Sequence, residues 1–202
     1  MRLLRAGQRI ARPLNCGVMR TDPLQAVAPV RGFARRQLLA LAQVVVVWVI
    51  CALALVYGPA IAPRPEVTDT SGRLVFVAHW LLVPGLALLL SVVVTMSTRF
   101  LSEDAFDGTR TPKSRFMEIN LRVTQNTLEQ VVLAAVAWPG LALTLPAERL
   151  GIIPVLAGLF GVGRLLFWAG YQIAPIARAV GFGLTAVPTA VAMLWLAWRA
   201  VA

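Results

Sequence analysis

Apolar residues along this chain gather in long unbroken runs rather than in alternation with polar ones. Four runs are clean: residues 37–61, 74–96, 128–145 and 180–198. Each is close to the roughly 20 residues that a helix needs to cross hydrocarbon. A fifth, residues 150–168, has the length but carries Arg164 inside it. Nothing shows the period-2 alternation of a membrane barrel, whereas a helix of this length satisfies its own backbone in lipid. The pattern predicts an all-α integral membrane helical bundle of five spans, with no internal repeat and no low-complexity segment.

Composition strengthens that picture. Of 202 residues, 58% are hydrophobic and 14% charged, with a mean hydropathy of +0.75, more apolar surface than one soluble core can hide. The net charge of +10 would point to a nucleic-acid partner in a soluble protein, but its placement excludes that reading. Residues 1–36 hold eight arginines against the single carboxylate Asp22, or +7, and read as a basic, disordered cytoplasmic tail. Arg31, Arg35 and Arg36 precede the first span, and the 97–121 connection carries Arg99, Arg110, Lys113 and Arg115. The 62–73 connection has only Arg64 and Arg73. The positive-inside rule therefore sets the N-terminus and the 97–121 connection in the cytoplasm and the C-terminus outside. The stretch "AIAP" at 60–63 has the small-x-small form of a cleavage site, but Pro63 opposes cleavage and the run exceeds a signal peptide's apolar core. Cys16 and Cys51 offer neither a structural disulfide nor a metal-ligand spacing, so no metal is expected.

The informative residues are the polar ones next to the third and fourth runs. Arg122, Asn126 and Glu129 stand at i, i+4 and i+7, one stripe at the mouth of the third span, extended backwards by Glu118. On the fourth, Arg164 and Tyr171 are seven residues apart, with Arg178 seven further on. The short connection "LPAERLG" at 145–151 predicts an antiparallel pair. Arg122, Asn126, Glu129, Tyr171 and Arg178 then converge at one level, with Arg164 deeper. A bland alternative is that Glu129 and Arg164 neutralise each other, since a charge in a span costs roughly 2.5–3.5 kcal/mol on insertion scales. One carboxylate cannot satisfy three guanidiniums and an amide, however. The surplus positive charge calls for a small anion with carboxylates for the arginines and an amine for the glutamate.

These residues resemble the MAPEG family, membrane-associated proteins in eicosanoid and glutathione metabolism. The likeness covers residues 74–198, read as a MAPEG-like four-helix domain. It rests on the Arg-x-x-x-Asn-x-x-Glu motif (Arg122, Asn126, Glu129) and on "FWAGYQIAPIAR", with Tyr171 and Arg178 at family spacing. The 103–130 stretch "EDAFDGTRTPKSRFMEINLRVTQNTLEQ" and the "RAVGF" at 178–182 look like bacterial members. The resemblance implies a homotrimer with glutathione as cosubstrate between subunits, held by Arg122, Asn126, Glu129, Tyr171 and Arg178. Arg164, from the charge argument, is added to that set, and Arg99 is the candidate catalytic cation. The implied activity is a glutathione transferase or peroxidase acting on a lipophilic second substrate that arrives from membrane lipid. Two departures stand out: Phe167 occupies a position where many members carry tyrosine, and the 37–61 span is added before the usual four.

Two other functions are compatible with the residues. One is a noncatalytic scaffold that keeps the fold and recruits a partner through the extra span. The other is a transporter subunit, which the lack of paired inverted halves disfavours. His79, the sole histidine, reads as an interfacial residue rather than a catalytic one. Trp195 and Trp198 read as belt residues, Phe167 and Trp168 as packing or lipid-facing surface, and Ala157 and Gly161 as a close-packing pair.

Overall fold

A computed structural model describes residues 33–66, 69–101, 114–173 and 177–202. The basic tail expected over residues 1–36 falls almost entirely outside them. Among the described residues five helices follow in order: α1 (Phe33–Ile61), α2 (Thr70–Phe100), α3 (Arg115–Thr144), α4 (Ile152–Ile173) and α5 (Arg178–Val201). A single 3-10 turn, Ala147–Arg149, links α3 to α4. All five are long and apolar enough to cross a membrane. The all-α membrane bundle read from the apolar runs is the fold observed.

Helix ends depart from the apolar runs for physical reasons. Asp69 caps α2, its Oδ1 accepting the Gly72 amide at 2.9 Å and its Oδ2 the Ser71 hydroxyl at 2.6 Å. α3 begins thirteen residues before its apolar run, because its polar first turns remain helical. At 1.5 Å per residue its 30 residues span about 45 Å, longer than the roughly 30 Å of hydrocarbon. Pro154 falls in the first turn of α4, where its missing N–H costs nothing, while Pro59, Pro84, Pro139 and Pro188 lie inside helices.

α2 and α3 run antiparallel. Arg73 Nη1 donates to the carbonyls of Ala142 and Leu145 at 2.8 and 2.6 Å at one end, and Thr95 and Thr124 share a 3.0 Å hydroxyl contact towards the other. α3 and α4 are antiparallel as well, with Trp138 edge-on to Phe160 and Asn126 opposite Arg164. The closest backbone approach joins α4 to α5. A Cβ on Gly181 would strike the Phe167 amide nitrogen and reach the Gly163 carbonyl at 2.6 Å. The Ala157–Gly161 pair is less tight than expected: Ala157 is buried, but a Cβ on Gly161 meets only Val83, at 3.3 Å. α1 lies along α4 and α5, burying Val47 and Cys51 against Leu184 and leaving most of its surface exposed.

The main core fills the half of the bundle nearest the α3–α4 turn, built on Trp138, Leu141, Leu150, Ile153 and Phe160. A smaller cluster of Ile119, Val123 and Phe167, with Tyr171 against it, sits at the end where α3 begins and α4 finishes. That end holds the polar constellation.

Candidate functional site

Arg164 is its centre, only 5% exposed although it stands in a spanning helix. Its Nη1 donates to Asn126 Oδ1 of α3 at 2.8 Å. Its Nη2 donates to Thr185 Oγ1 of α5 at 2.5 Å and reaches the Gly181 carbonyl at 3.5 Å. Thr185 accepts in that geometry because its own hydroxyl is spent on the Phe182 carbonyl at 2.9 Å. The missing Cβ at Gly181 lets α5 come close enough for both contacts. The guanidinium also lies 4.6 Å from the Phe167 ring centre and 5.7 Å from that of Phe160.

From Phe167 the cluster continues outward. Tyr171 meets Phe167 edge-to-face at 5.3 Å, and Arg178 at the start of α5 lies 4.3 Å over the Tyr171 ring. Asn126, Arg164, Phe167, Tyr171 and Arg178 thus form one connected ladder. Among the described residues neither Arg164 nor Arg178 has a carboxylate within ion-pair distance. The suggested neutralisation of Arg164 by Glu129 does not occur: Arg164 is held by neutral oxygens, and Glu129 receives Gln125 Nε2 at 3.1 Å.

Arg122 and Glu129 lie on an adjoining surface. They line a shallow, open trough along one face of α3 with Leu121, Gln125 and Asn126. Arg122 pairs with Glu118 at 2.6 Å, both side chains more than half exposed. Asn126 belongs to trough and ladder alike, and so connects the two groups. The five residues expected to converge in one pocket are therefore not gathered into one: Arg122 and Glu129 lie along α3, Tyr171 and Arg178 in the ladder, and Asn126 touches both groups. Arg99 lies one turn past Thr95 at the same end of the bundle, half-buried, with no side-chain bond to the cluster among the described residues.

Several participants carry no signal in the sequence. Thr185 and Gly181 are ordinary residues for an apolar helix, and only the α4–α5 approach makes them partners of Arg164. Asn120 lies about 240° around α3 from Asn126, off the polar stripe, and accepts Trp168 Nε1 at 2.9 Å. Trp168, read as packing or lipid-facing surface, is both partly exposed and hydrogen-bonded.

The geometry defines an integral membrane helical bundle whose one end pairs an exposed polar face of α3 with a partly buried cation–aromatic ladder. The chain belongs to the MAPEG family, whose family model matches residues 75–198. Transmembrane protein 79 from Bos taurus is 30% identical over 81 residues, 40% of this chain and 20% of the relative. Transmembrane protein 79 from Mus musculus is 28% identical over the same length, 40% of this chain and 21% of the relative. The alignment thus spans about a fifth of these curated relatives, and both are mammalian, so the bacterial character read from the 103–130 stretch finds no support in them. No solved structure matches.

Proposed function

We propose that the protein binds glutathione at the α3–α5 end of the bundle and acts as a glutathione transferase or peroxidase on lipophilic electrophiles or hydroperoxides. The observation that carries this reading is the surplus of guanidinium over carboxylate there. Arg164 and Arg178 have no acidic partner among the described residues, next to a trough whose Glu129 keeps one oxygen free of side-chain donors. Glutathione supplies what the site lacks: two carboxylates for Arg122 and Arg178, and an ammonium for Glu129, with Asn126 and Tyr171 as neutral hydrogen-bonding groups. Arg164 positions Asn126 from behind.

The chemistry follows from charge. A guanidinium near the thiol, Arg99 being the candidate, favours the thiolate by about 1.4 kcal/mol for each unit by which the thiol pKa falls. The thiolate then forms a sulfur–carbon bond as the electrophile's leaving group departs with its electron pair. With a hydroperoxide it attacks the distal oxygen, releases an alcohol, and a second glutathione converts the sulfenic acid to a disulfide and water. The second substrate comes laterally from lipid. A helix face with Arg122, Gln125 and Glu129 exposed in a spanning segment supports burial against another copy, which in this family reading is a homotrimer. We assign this end to the cytoplasm on the arginine distribution, with the C-terminus outside and an inner membrane as the location.

The decisive experiment is a glutathione titration of the purified protein, read with native mass spectrometry. Saturable binding to a trimer, weakened at least tenfold by Arg122→Ala and Glu129→Ala, is the expected result; no binding, or binding indifferent to both substitutions, refutes the reading. The noncatalytic scaffold is favoured by one observation, Phe167 packed into the ladder without a hydroxyl. Saturable binding with no turnover across a panel of electrophiles and hydroperoxides would select it.

A further inference from the structure

A second cavity, of about 210 Å³, opens between α2 and α4 with α3 as its floor. Its rim is Leu90 of α2 with Leu165 and Trp168 of α4, all exposed on spanning helices, so its mouth faces the lipid. Its floor includes Asn120 and Thr127, both fully buried. The lining is almost wholly apolar. An apolar cavity of about 150 Å³ stays dry and accepts benzene, so this one has room for a longer body.

One polar group at the floor is unfinished. Asn120 is 2% exposed, its Oδ1 accepts Trp168 Nε1, and its Nδ2 has no partner. Turning the amide over would set its NH2 against the indole N–H, donor facing donor, so the leftover group is the NH2. An unpaired buried donor is costly, and an oxygen acceptor entering the cavity removes that cost. A carboxylate fits less well. Against so apolar a lining, a charged head arriving through lipid would give up its water with little in return. Arg164 in the wall already has neutral oxygens on both terminal nitrogens; among the described residues only its Nε–H, like the Asn120 NH2, is without a partner, which a neutral acceptor oxygen can meet.

We infer that this cavity binds a neutral, bilayer-dissolved lipophile carrying a single oxygen acceptor of the ketone or ester type, with the oxygen received by the Asn120 amide. Trp168 closes the rim and, by holding the Asn120 oxygen, presents the NH2. The site shares Arg164 with the ladder but uses none of Arg122, Glu129, Tyr171 and Arg178, the groups the thiol reading sets against glutathione.

The test is photolabelling of the full chain in lipid nanodiscs with a long-chain alkyl diazirine ketone, alongside the matched alkane and the matched carboxylate. Adducts are expected on residues 87–94 and 161–168, with the ketone labelling more strongly than either analogue. Ala87→Phe, which fills the cavity, should cut labelling at least tenfold, and Asn120→Leu should bring the ketone down to the level of the alkane. Should Ala87→Phe fail to fold by circular dichroism, Leu90→Trp on the exposed rim carries the same expectation. Adducts elsewhere, labelling indifferent to a folded cavity-filling variant, or preference for the carboxylate would overturn the inference. Glutathione titrated into the Leu90→Trp protein should bind as in the parent chain; failure of glutathione to bind the parent would remove the thiol reading and leave this site standing.

Discussion

Arg164 is held entirely by neutral partners, and the terms around it nearly cancel. Two hydrogen bonds to a charged donor contribute about 1.5–3 kcal/mol each, while placing a guanidinium in a span costs roughly 2.5–3.5 kcal/mol. Arg164→Met removes both sides of that balance, so its unfolding free energy in detergent should change by less than about 2 kcal/mol. Thr185→Val removes one bond and leaves the cation buried, so it should cost about 1.5–3 kcal/mol, the larger loss of the two. Denaturant titration of both variants checks the order; a much larger loss for Arg164→Met would mean the guanidinium is a net stabiliser. The residues at this end of the bundle differ in how readable they were. Arg122, Asn126 and Glu129 announce themselves because charged residues on a helical period beside an apolar run have few explanations. Thr185, Gly181 and Asn120 do not, since each acquires its role from a neighbouring helix.

At the scale of the helix, the α4–α5 seam depends on missing side chains. A Cβ at Gly181 collides with backbone, which cannot move aside as a side-chain tip can. Gly181→Ala should therefore destabilise by about 1–3 kcal/mol and displace Thr185 from Arg164. Gly158, on the same α4, has nothing within 4 Å of a would-be Cβ, so Gly158→Ala should be neutral or gain up to about 1 kcal/mol from helix propensity. Comparable effects at the two positions would show that the seam is looser than described. The α2 cap gives a pH signature outside the membrane. Its bonds to Ser71 and Gly72 hold the Asp69 carboxyl below its ordinary value. A carboxylate with a folded pKa below its unfolded pKa stabilises above the unfolded value, near 3.9, and loses that contribution as pH falls through the folded one. The thermal midpoints of the parent protein and Asp69→Ala should differ at pH 7 and draw together as pH falls below the ordinary carboxylate range and through the folded pKa; a gap that does not narrow in acid would assign the cap's effect to something other than its charge. The extent of α3 was only half legible. Hydropathy marks where lipid begins, whereas the helix starts earlier, in turns whose polar side chains face outward or pair along the helix, as Arg122 does with Glu118.

For the whole molecule, α1 is an attachment more than a wall. Of its described side chains only Val47 and Cys51 are buried. In lipid an exposed apolar face loses nothing by lacking a protein partner, so α1 is held by packing at Val47, Cys51 and the close approach of Pro59 to Gly151. A chain lacking residues 1–61 should keep its helical circular dichroism and shift its thermal midpoint by no more than about 5 °C. Loss of cooperative unfolding in that variant would show that α1 completes the core. The number of spans and their order were readable because lipid imposes a minimum apolar length. How closely each helix meets the next was not, because leucine facing lipid and leucine facing another helix read alike.

The excess length of α3 over the thickness of hydrocarbon has one more consequence. Its opening turns precede the apolar run, with Arg122 and Glu129 on the exposed flank and Val123 and Asn120 on the packed one. On the two proposals made above, a water-borne molecule and a lipid-borne one would both reach this stretch of backbone without leaving their own media, and the rod would be a shoreline on which reagents of opposite solubility meet.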